Sequence, residues 1–411
     1  MKQKHILVVT QYFHPEPFRI NDMCKEWVKR GYKVTVLTGL PNYPEGKIYK
    51  GYRWGKRRRE AWNGIDIIRI PLIARGKGAI RLALNYLSFV VSGFFWKTFT
   101  RVKADLVFSF EVSPMTQVLV GCAYAKRRKI PHYLYVQDLW PENVEIVTGI
   151  HSKAVLNPIG KMVNRIYKSC DLIFATSESF VTEIQKRVFD DKSKVKYWPQ
   201  YAEEFYRPTD KRISELADDG AFKIIFTGNI GQAQGLDILP KTARLLKEKE
   251  KTVKFVIVGD GREKDKLIEE IGLQEVDDMF VLIPRKPAED IPAYLCSCQA
   301  AFISFMDNEL FSKTIPAKLQ SYMACGMPII AAATGETERI VKEADCGVCA
   351  KIGDADALAS AILSLMEHEC AASLGANAKS YFDQHFKKEM LMDEMDNYFG
   401  EQLWQILPQL S

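Results

Sequence analysis

The sequence predicts an α/β protein made of two successive doubly wound, Rossmann-like units. Short apolar, β-branched runs alternate with helical patterns along most of the chain. The alternation stops in a polar stretch at residues 201–219 and then begins again. At 411 residues the chain also exceeds what one ordinary core accommodates.

In the first half the strand signals are HILVVT from His5, KVTVLT from Lys33, DLVFSF from Asp105, HYLYVQD from His132 and DLIFATS from Asp171. Helical patterns fill the intervals, namely MCKEWVKR after Asn21-Asp22, TQVLVGCAYAKRR from Thr116 and AVLNPIGKMVNRIYKS from Ala154. Continuous apolar strands separated by helices read as a parallel sheet covered on both faces, with its ligand crevice at the carboxyl ends of the strands. The second half repeats the pattern with FKIIFTG from Phe222, KFVIVGDG from Lys254, MFVLIP from Met279, AAFISF from Ala300 and MPIIAAA from Met327. The expected domains are 1–204 and 205–387, followed by a helical tail at 388–411.

Composition narrows the function classes. With 47% hydrophobic and 26% charged residues the chain is globular, and a net charge of +6 suits an anionic substrate or an anionic membrane surface. It lacks the dense basic stripe of a nucleic-acid binder. Nine cysteines are scattered through apolar runs, as at Cys122 and Cys325, and read as buried free thiols in a reducing compartment. Cys346-Gly347-Val348-Cys349 has no second CxxC or histidine pair at zinc-like spacing, so no metal is expected. The apolar stretch from His5 is too short for a secretory signal, which places the protein in the cytoplasm.

A dinucleotide enzyme would carry its glycine-rich turn after the first strand. Here that strand runs into QYFHPEP, and the glycines open the second half instead. Gly228-Asn229-Ile230-Gly231, with Gln234 and Gly235 just beyond, joins a strand to a helix, so its amides are placed to receive a phosphate. An ordinary βα turn is the alternative. Lys313 and Lys318 flank a helix start at Pro316, where two cations and the helix dipole suit a pyrophosphate. Two solvated lysines are the alternative there.

Together these segments resemble the retaining glycosyltransferases of family four. The likeness extends to QYFHPEPFRIND from Gln11, VTVLTGLPNYPEGKIYKGY from Val34, YVQDLWPENV from Tyr135, FTGNIGQAQGLD from Phe226 and SYMACGMPIIAA from Ser321. It is strongest to the branch with N-acetylfucosamine transferases and colanic-acid-type enzymes of surface polysaccharide assembly. The resemblance implies the GT-B fold, two Rossmann-like domains facing across a cleft, with the C-terminal helix crossing back to the first. It implies an acceptor-binding N-terminal domain and a nucleotide-sugar-binding C-terminal domain. It further implies transfer with retention from a UDP-sugar to a polyprenyl-diphosphate-linked saccharide, with neither metal nor cofactor. The branch suggests an N-acetylated hexosamine as the sugar moved.

Carried over residue by residue, the donor side comprises Gly228, Asn229, Ile230, Gly231, Gln234, Lys313 and Lys318, with Arg285 at the nucleobase and Glu309 at the donor sugar. The acceptor side comprises His14, Arg19, Asn42 and Tyr43. Asn229 and Gln234 stand where many relatives have Arg and Lys, and Lys313 and Ser321 where they have two glutamates. Gln137 stands where relatives often have a histidine, so Asp138 is the first catalytic candidate and Glu142 the second. An aspartate can stabilise positive charge developing at an anomeric carbon or position an acceptor hydroxyl. Asp138 as a helix cap ahead of Pro141, and His14 as a plain surface-loop residue, are the alternatives. The pairs Asp190-Asp191, Asp218-Asp219 and Asp277-Asp278 all lie in turn-like stretches, and none reads as a DxD site after a strand.

Residues 80–101 form an apolar, aromatic stretch with Lys56 to Arg59, Arg75, Lys77, Arg81, Lys97 and Arg101 around it. It reads as a helix in the cytoplasmic membrane interface, with a core helix and a true span as alternatives; Arg81 and Asn85 interrupt a span. Two other functions fit two such domains, a nucleotide-sugar 2-epimerase and a non-catalytic sugar-binding protein.

Overall fold

The computed structural model describes residues 3–53, 56–76, 78–216, 218–367 and 371–405. The chain divides into two compact units, Met1–Trp198 and Pro199–Ser411.

The first unit holds eight strands, β1 His5–Val9, β2 Lys33–Gly39, β3 Arg59–Trp62, β4 Ile65–Ile70, β5 Leu106–Glu111, β6 His132–Val136, β7 Leu172–Ala175 and β8 Val195–Tyr197. Their order is β3-β4-β2-β1-β5-β6-β7-β8. Every pairing is parallel except β3 with β4. Val8 sits between Val36 and Phe108 in register, and β1 is buried along its whole length, as a central parallel strand must be. The antiparallel β3–β4 hairpin is an addition to the expected alternation. It turns at Asn63-Gly64, with φ of 49° and 77°, the mirror-image turn that matches the twist of its strands. The eighth strand ends at Tyr197, which is why the first unit closes at Trp198.

The second unit holds β9 Phe222–Asn229, β10 Val253–Asp260, β11 Phe280–Ile283, β12 Ala300–Ser304, β13 Ile329–Ala332 and β14 Gly347–Ala350. The order is β11-β10-β9-β12-β13-β14, all parallel. The CxxC spacing is thus the edge strand β14, with Cys346 buried just before it. The helix Lys388–Gln405 belongs to this unit, where Lys388 Nζ lies 3.2 Å from Glu204. The end of the expected tail, 406–411, lies outside the described residues.

In each sheet the chain leaves the central strand in opposite directions, which opens a crevice at the carboxyl ends of two neighbours. These switch points are β1/β5 in the first unit and β9/β12 in the second.

The helix Ala79–Phe99 lies on the first sheet through a narrow stripe, Asn85, Phe89, Val90 and Gly93. Trp96 stacks on Tyr124 with centroids 5.6 Å apart, and Phe89 joins the core of Leu7, Val9, Leu37 and Val107. Of the other apolar side chains, Ile80, Leu84, Leu87, Val91, Phe94, Phe95 and Phe99 are exposed. Lys77 lies outside the described residues.

Candidate active site

In the second unit, β9 delivers its glycine loop to the switch point. Gly228 has φ of 135°, a conformation open to glycine, and a Cβ there would stand 3.6 Å from Lys318 Nζ. The loop is tied to β12 because Met306 N–H donates to Ala233 O at 3.1 Å and Ser304 Oγ–H donates to Gln234 O.

Lys318 lies on the helix Ala317–Ala324, which Tyr322 anchors: the Thr227 N–H donates to the Tyr322 hydroxyl at 2.8 Å. From there Lys318 Nζ donates to Gln234 Oε1 at 2.5 Å and sits 3.9 Å from the Phe226 ring centroid. Among the described residues no carboxylate pairs with it. Burial without a counter-ion pulls its pKa down to about 7. The ammonium is therefore held beside loop amides at a helix start, an arrangement suited to an anion.

The other donor-side candidates are placed differently. Lys313 Nζ lies 2.7 Å from Glu309 Oε1, an ion pair within one helical turn, and the Glu309 side chain is 84% exposed. Arg285 is exposed just beyond β11, and Asn229 is exposed at the end of β9. Ile230 and Gly231 line a cavity of about 410 Å³ together with Lys241, Lys266, Ser304 and Asp307. The remaining candidates do not line that cavity.

In the first unit, Glu111 ends β5 and Asp138 follows β6. The Asp138 N–H reaches Glu111 Oε2 at 3.4 Å, while Asp138 Oδ2 accepts from Ser113 N–H at 2.7 Å. Asp138 thus braces the β5 loop; the helix Glu142–Thr148 carries no side-chain cap. Glu111 is fully buried, and desolvation, with the Asp138 charge second, holds its carboxyl well above the usual range. Trp140 and Asn143 both donate to Ser113 Oγ, at 3.0 and 2.6 Å, which fixes the loop around Asp138. Glu142 is not gathered into this group, since its carboxylate pairs with Arg187 at 2.7 Å.

The loop after β1 carries a further acid beside the acceptor-side candidates. Glu16, absent from the sequence candidates, accepts from the N–H groups of Asn42 and Tyr43 at 2.8 and 2.7 Å. Its other oxygen is buried without a partner among the described residues, and desolvation raises its pKa to about 7. Asn42 is buried and spends its side chain on the backbone of Arg75 and Leu40. Tyr43 is partly exposed, packs on Tyr12 and Phe18, and lies 5.6 Å from the Arg75 guanidinium. His14 stacks on Trp62 at 4.1 Å, and burial lowers its pKa. Arg19 opens the helix Arg19–Lys29, close enough to Tyr135 to act on its hydroxyl electrostatically. Glu111 is likewise absent from the sequence candidates, and its place at the end of the apolar run from Asp105 is the only local hint of it; no sequence signal distinguishes Glu16 from a solvated loop acid.

Comparisons with known proteins agree with this architecture. The model "Glycosyltransferase Family 4" matches residues 19–200, and "Glycosyl transferases group 1" matches residues 208–381. The chain is 24% identical to the probable glycosyltransferase WbjE of Pseudomonas aeruginosa, over 64% of this chain and 66% of that protein, just under two thirds of its length. It is 24% identical to the putative colanic acid biosynthesis glycosyl transferase WcaI of Escherichia coli, over 81% of this chain and 84% of that one. The structure of HepE from Anabaena in complex with UDP and glucose superimposes with a TM-score of 0.69 at 16% identity, over 97% of this chain and all of that one. With both units matched and both sheets wound as the fold requires, the chain is a group 1 glycosyltransferase of the GT-B fold.

Proposed function

We propose that this glycosyltransferase moves a sugar from a UDP-sugar to a polyprenyl-diphosphate-linked saccharide, with retention and without a metal ion, in surface polysaccharide biosynthesis. The observation that carries the reading is Lys318, a cation without a carboxylate partner among the described residues, held against the Gly228 backbone and Gln234. A leaving diphosphate placed there would be stabilised by that ammonium and by loop amides. The UDP in the HepE structure and the colanic acid pathway named for WcaI support the donor and the pathway. Asp138 is the residue we assign to the reacting sugar or the acceptor hydroxyl, with the leaving diphosphate taking up the acceptor proton.

The lipid-linked acceptor rests on the helix Ala79–Phe99. Its exposed apolar side chains adjoin a groove of about 780 Å³ lined by Arg58, Arg59, Arg101, Phe95 and Phe99. Cations beside exposed aromatics suit an anionic membrane interface. The helix also touches the acceptor cluster, because Gln11 Nε2 donates to Asn85 Oδ1 at 2.6 Å and Tyr86 lies 6.3 Å from the Trp140 ring. We place the enzyme in the cytoplasm, peripheral on the inner face of the membrane. An N-acetylated hexosamine is the donor sugar to try first.

The test is UDP release from a panel of UDP-sugars in EDTA, with and without a short polyprenyl-diphosphate-sugar. Acceptor-dependent release with one donor supports the reading. Silence with every donor, together with no thermal shift by UDP, overturns it.

A further inference from the structure

At the amino ends of the strands in the first unit, away from the candidate site, Cys122, His132 and Cys170 converge. Cys122 lies on the helix Val118–Arg128, His132 opens β6, and Cys170 directly follows the helix Lys153–Ser169. One ligand-capable atom from each lies within 4.8 Å of the other two. The three come from two helix segments and a strand, so only the fold assembles them.

We propose that Cys122, His132 and Cys170 form a zinc site that staples this helix pair to the sheet. His132 Nδ1 stands 3.6 Å from Cys170 Sγ. In a tetrahedral site with Zn–S of about 2.3 Å and Zn–N of about 2.05 Å, the sulfur-to-nitrogen edge is itself about 3.6 Å. The ring is oriented as a ligand requires, because His132 Nε2 faces Ser109 Oγ at 2.8 Å and leaves Nδ1 toward the sulfurs.

The surrounding residues keep this space clear. A Cβ at Gly121 would lie 2.9 Å from His132 Nε2 and 2.5 Å from Ser109 Oγ, so glycine admits the imidazole. Two thiolates would cancel the charge of one Zn²⁺ where the interior solvates charge poorly. Cys122 is only half-buried, and the exposed Ser169 hydroxyl donates to its sulfur at 3.1 Å, which provides an entry path and a solvent-side fourth position. A disulfide between the two cysteines is the competing chemistry, but it gives the imidazole nitrogen aimed at Cys170 no task.

The full-length protein, purified reduced and without chelator, is expected to carry roughly one equivalent of zinc by elemental mass spectrometry. Cobalt(II) added to the metal-stripped protein should give a thiolate-to-cobalt charge-transfer band and the visible bands of a tetrahedral ion. C122S and C170S should lose the charge-transfer intensity. S109A, which keeps all three ligands, should bind metal roughly 10–100-fold more weakly. The proposal is overturned if the unaltered protein retains no metal and shows no charge-transfer band with cobalt. It is also overturned if the band survives in C122S and C170S, or if mild oxidation and thiol counting show a Cys122–Cys170 disulfide in protein that takes up no metal. These readouts do not involve sugar transfer, so they stand or fall apart from the proposed function.

Discussion

Glu111 and Asp138 stand at the carboxyl ends of adjacent parallel strands, with the Asp138 amide 3.4 Å from the Glu111 carboxylate. Two acids so close divide their roles by environment. Desolvation pushes the carboxyl of the fully buried Glu111 well above the usual range, whereas Asp138 beside it is only half-buried.

Burial favours the neutral form of Glu111, which Glu111→Gln imitates, so that variant is expected to change kcat by less than about threefold, whereas Asp138→Asn should lower it by about 100-fold or more. UDP affinity should be unaltered in both, because neither residue belongs to the donor loop. Steady-state kinetics with UDP titration separates the two effects. Equal loss in both variants would mean that the pair acts structurally.

Lys318→Ala is expected to weaken UDP binding by about 10–100-fold, the worth of a charge-assisted contact to a diphosphate. A pKa of about 7 adds a pH signature. Below it the ammonium is charged and ready for the anion; above it, binding must take up a proton, so affinity falls as pH rises. Calorimetry at pH 8 in buffers of different ionisation enthalpy should show uptake in the unaltered protein and little in Lys318→Ala.

Glu16 links stability to pH. Its carboxyl titrates near 4.5 when exposed and at about 7 in the fold. The raised value means that its contribution is fully present below about 4.5 and is lost as pH rises through about 7. The loss amounts to roughly 3 kcal/mol at most. Denaturant unfolding of Glu16→Gln should lack this component between pH 5 and 8.

The exposed face of the helix Ala79–Phe99 is open to direct test. Leu87, Phe95 and Phe99 are 59%, 66% and 79% exposed. Replacing all three with Gln should leave thermal unfolding nearly unchanged but lower partition onto anionic vesicles by at least about tenfold, since each apolar side chain contributes up to about 1.5–3 kcal/mol on burial. Raised salt should weaken the unaltered protein's binding through Arg58, Arg59 and Arg101. Vesicle co-sedimentation reads both.

Local signals account for what was legible in the sequence. Ten strands announce themselves as apolar runs, though the six-residue β4 does not, and the glycines of the β9 loop and Pro316 at a helix start mark the two segments that the fold brings together at Lys318. Asn63-Gly64 is an equally local hairpin signal, yet alternation alone passes over it because β3 is short and its residues are not buried. The cysteine spacing at 346–349 hides β14, since two cysteines draw attention to metal chemistry before they suggest a strand. Glu111 and Glu16 were not legible as site residues. Their altered acidity arises from burial by loops distant in sequence, and the pairing of Glu142 with Arg187 arises in the same way. The convergence of Cys122, His132 and Cys170 is likewise tertiary.

Asn85, the amide buried beneath the helix Ala79–Phe99, bonds to Gln11 and to the Ile73 carbonyl at 2.6 Å each. A polar peg of this kind fixes how the helix is rotated about its axis, because turning it would strand the amide among apolar side chains. The outward face is then free to drift in composition without disturbing the inward one. Substitutions confined to that outward face can therefore change the surface it presents while the contacts to Gln11 and Ile73 stay in register.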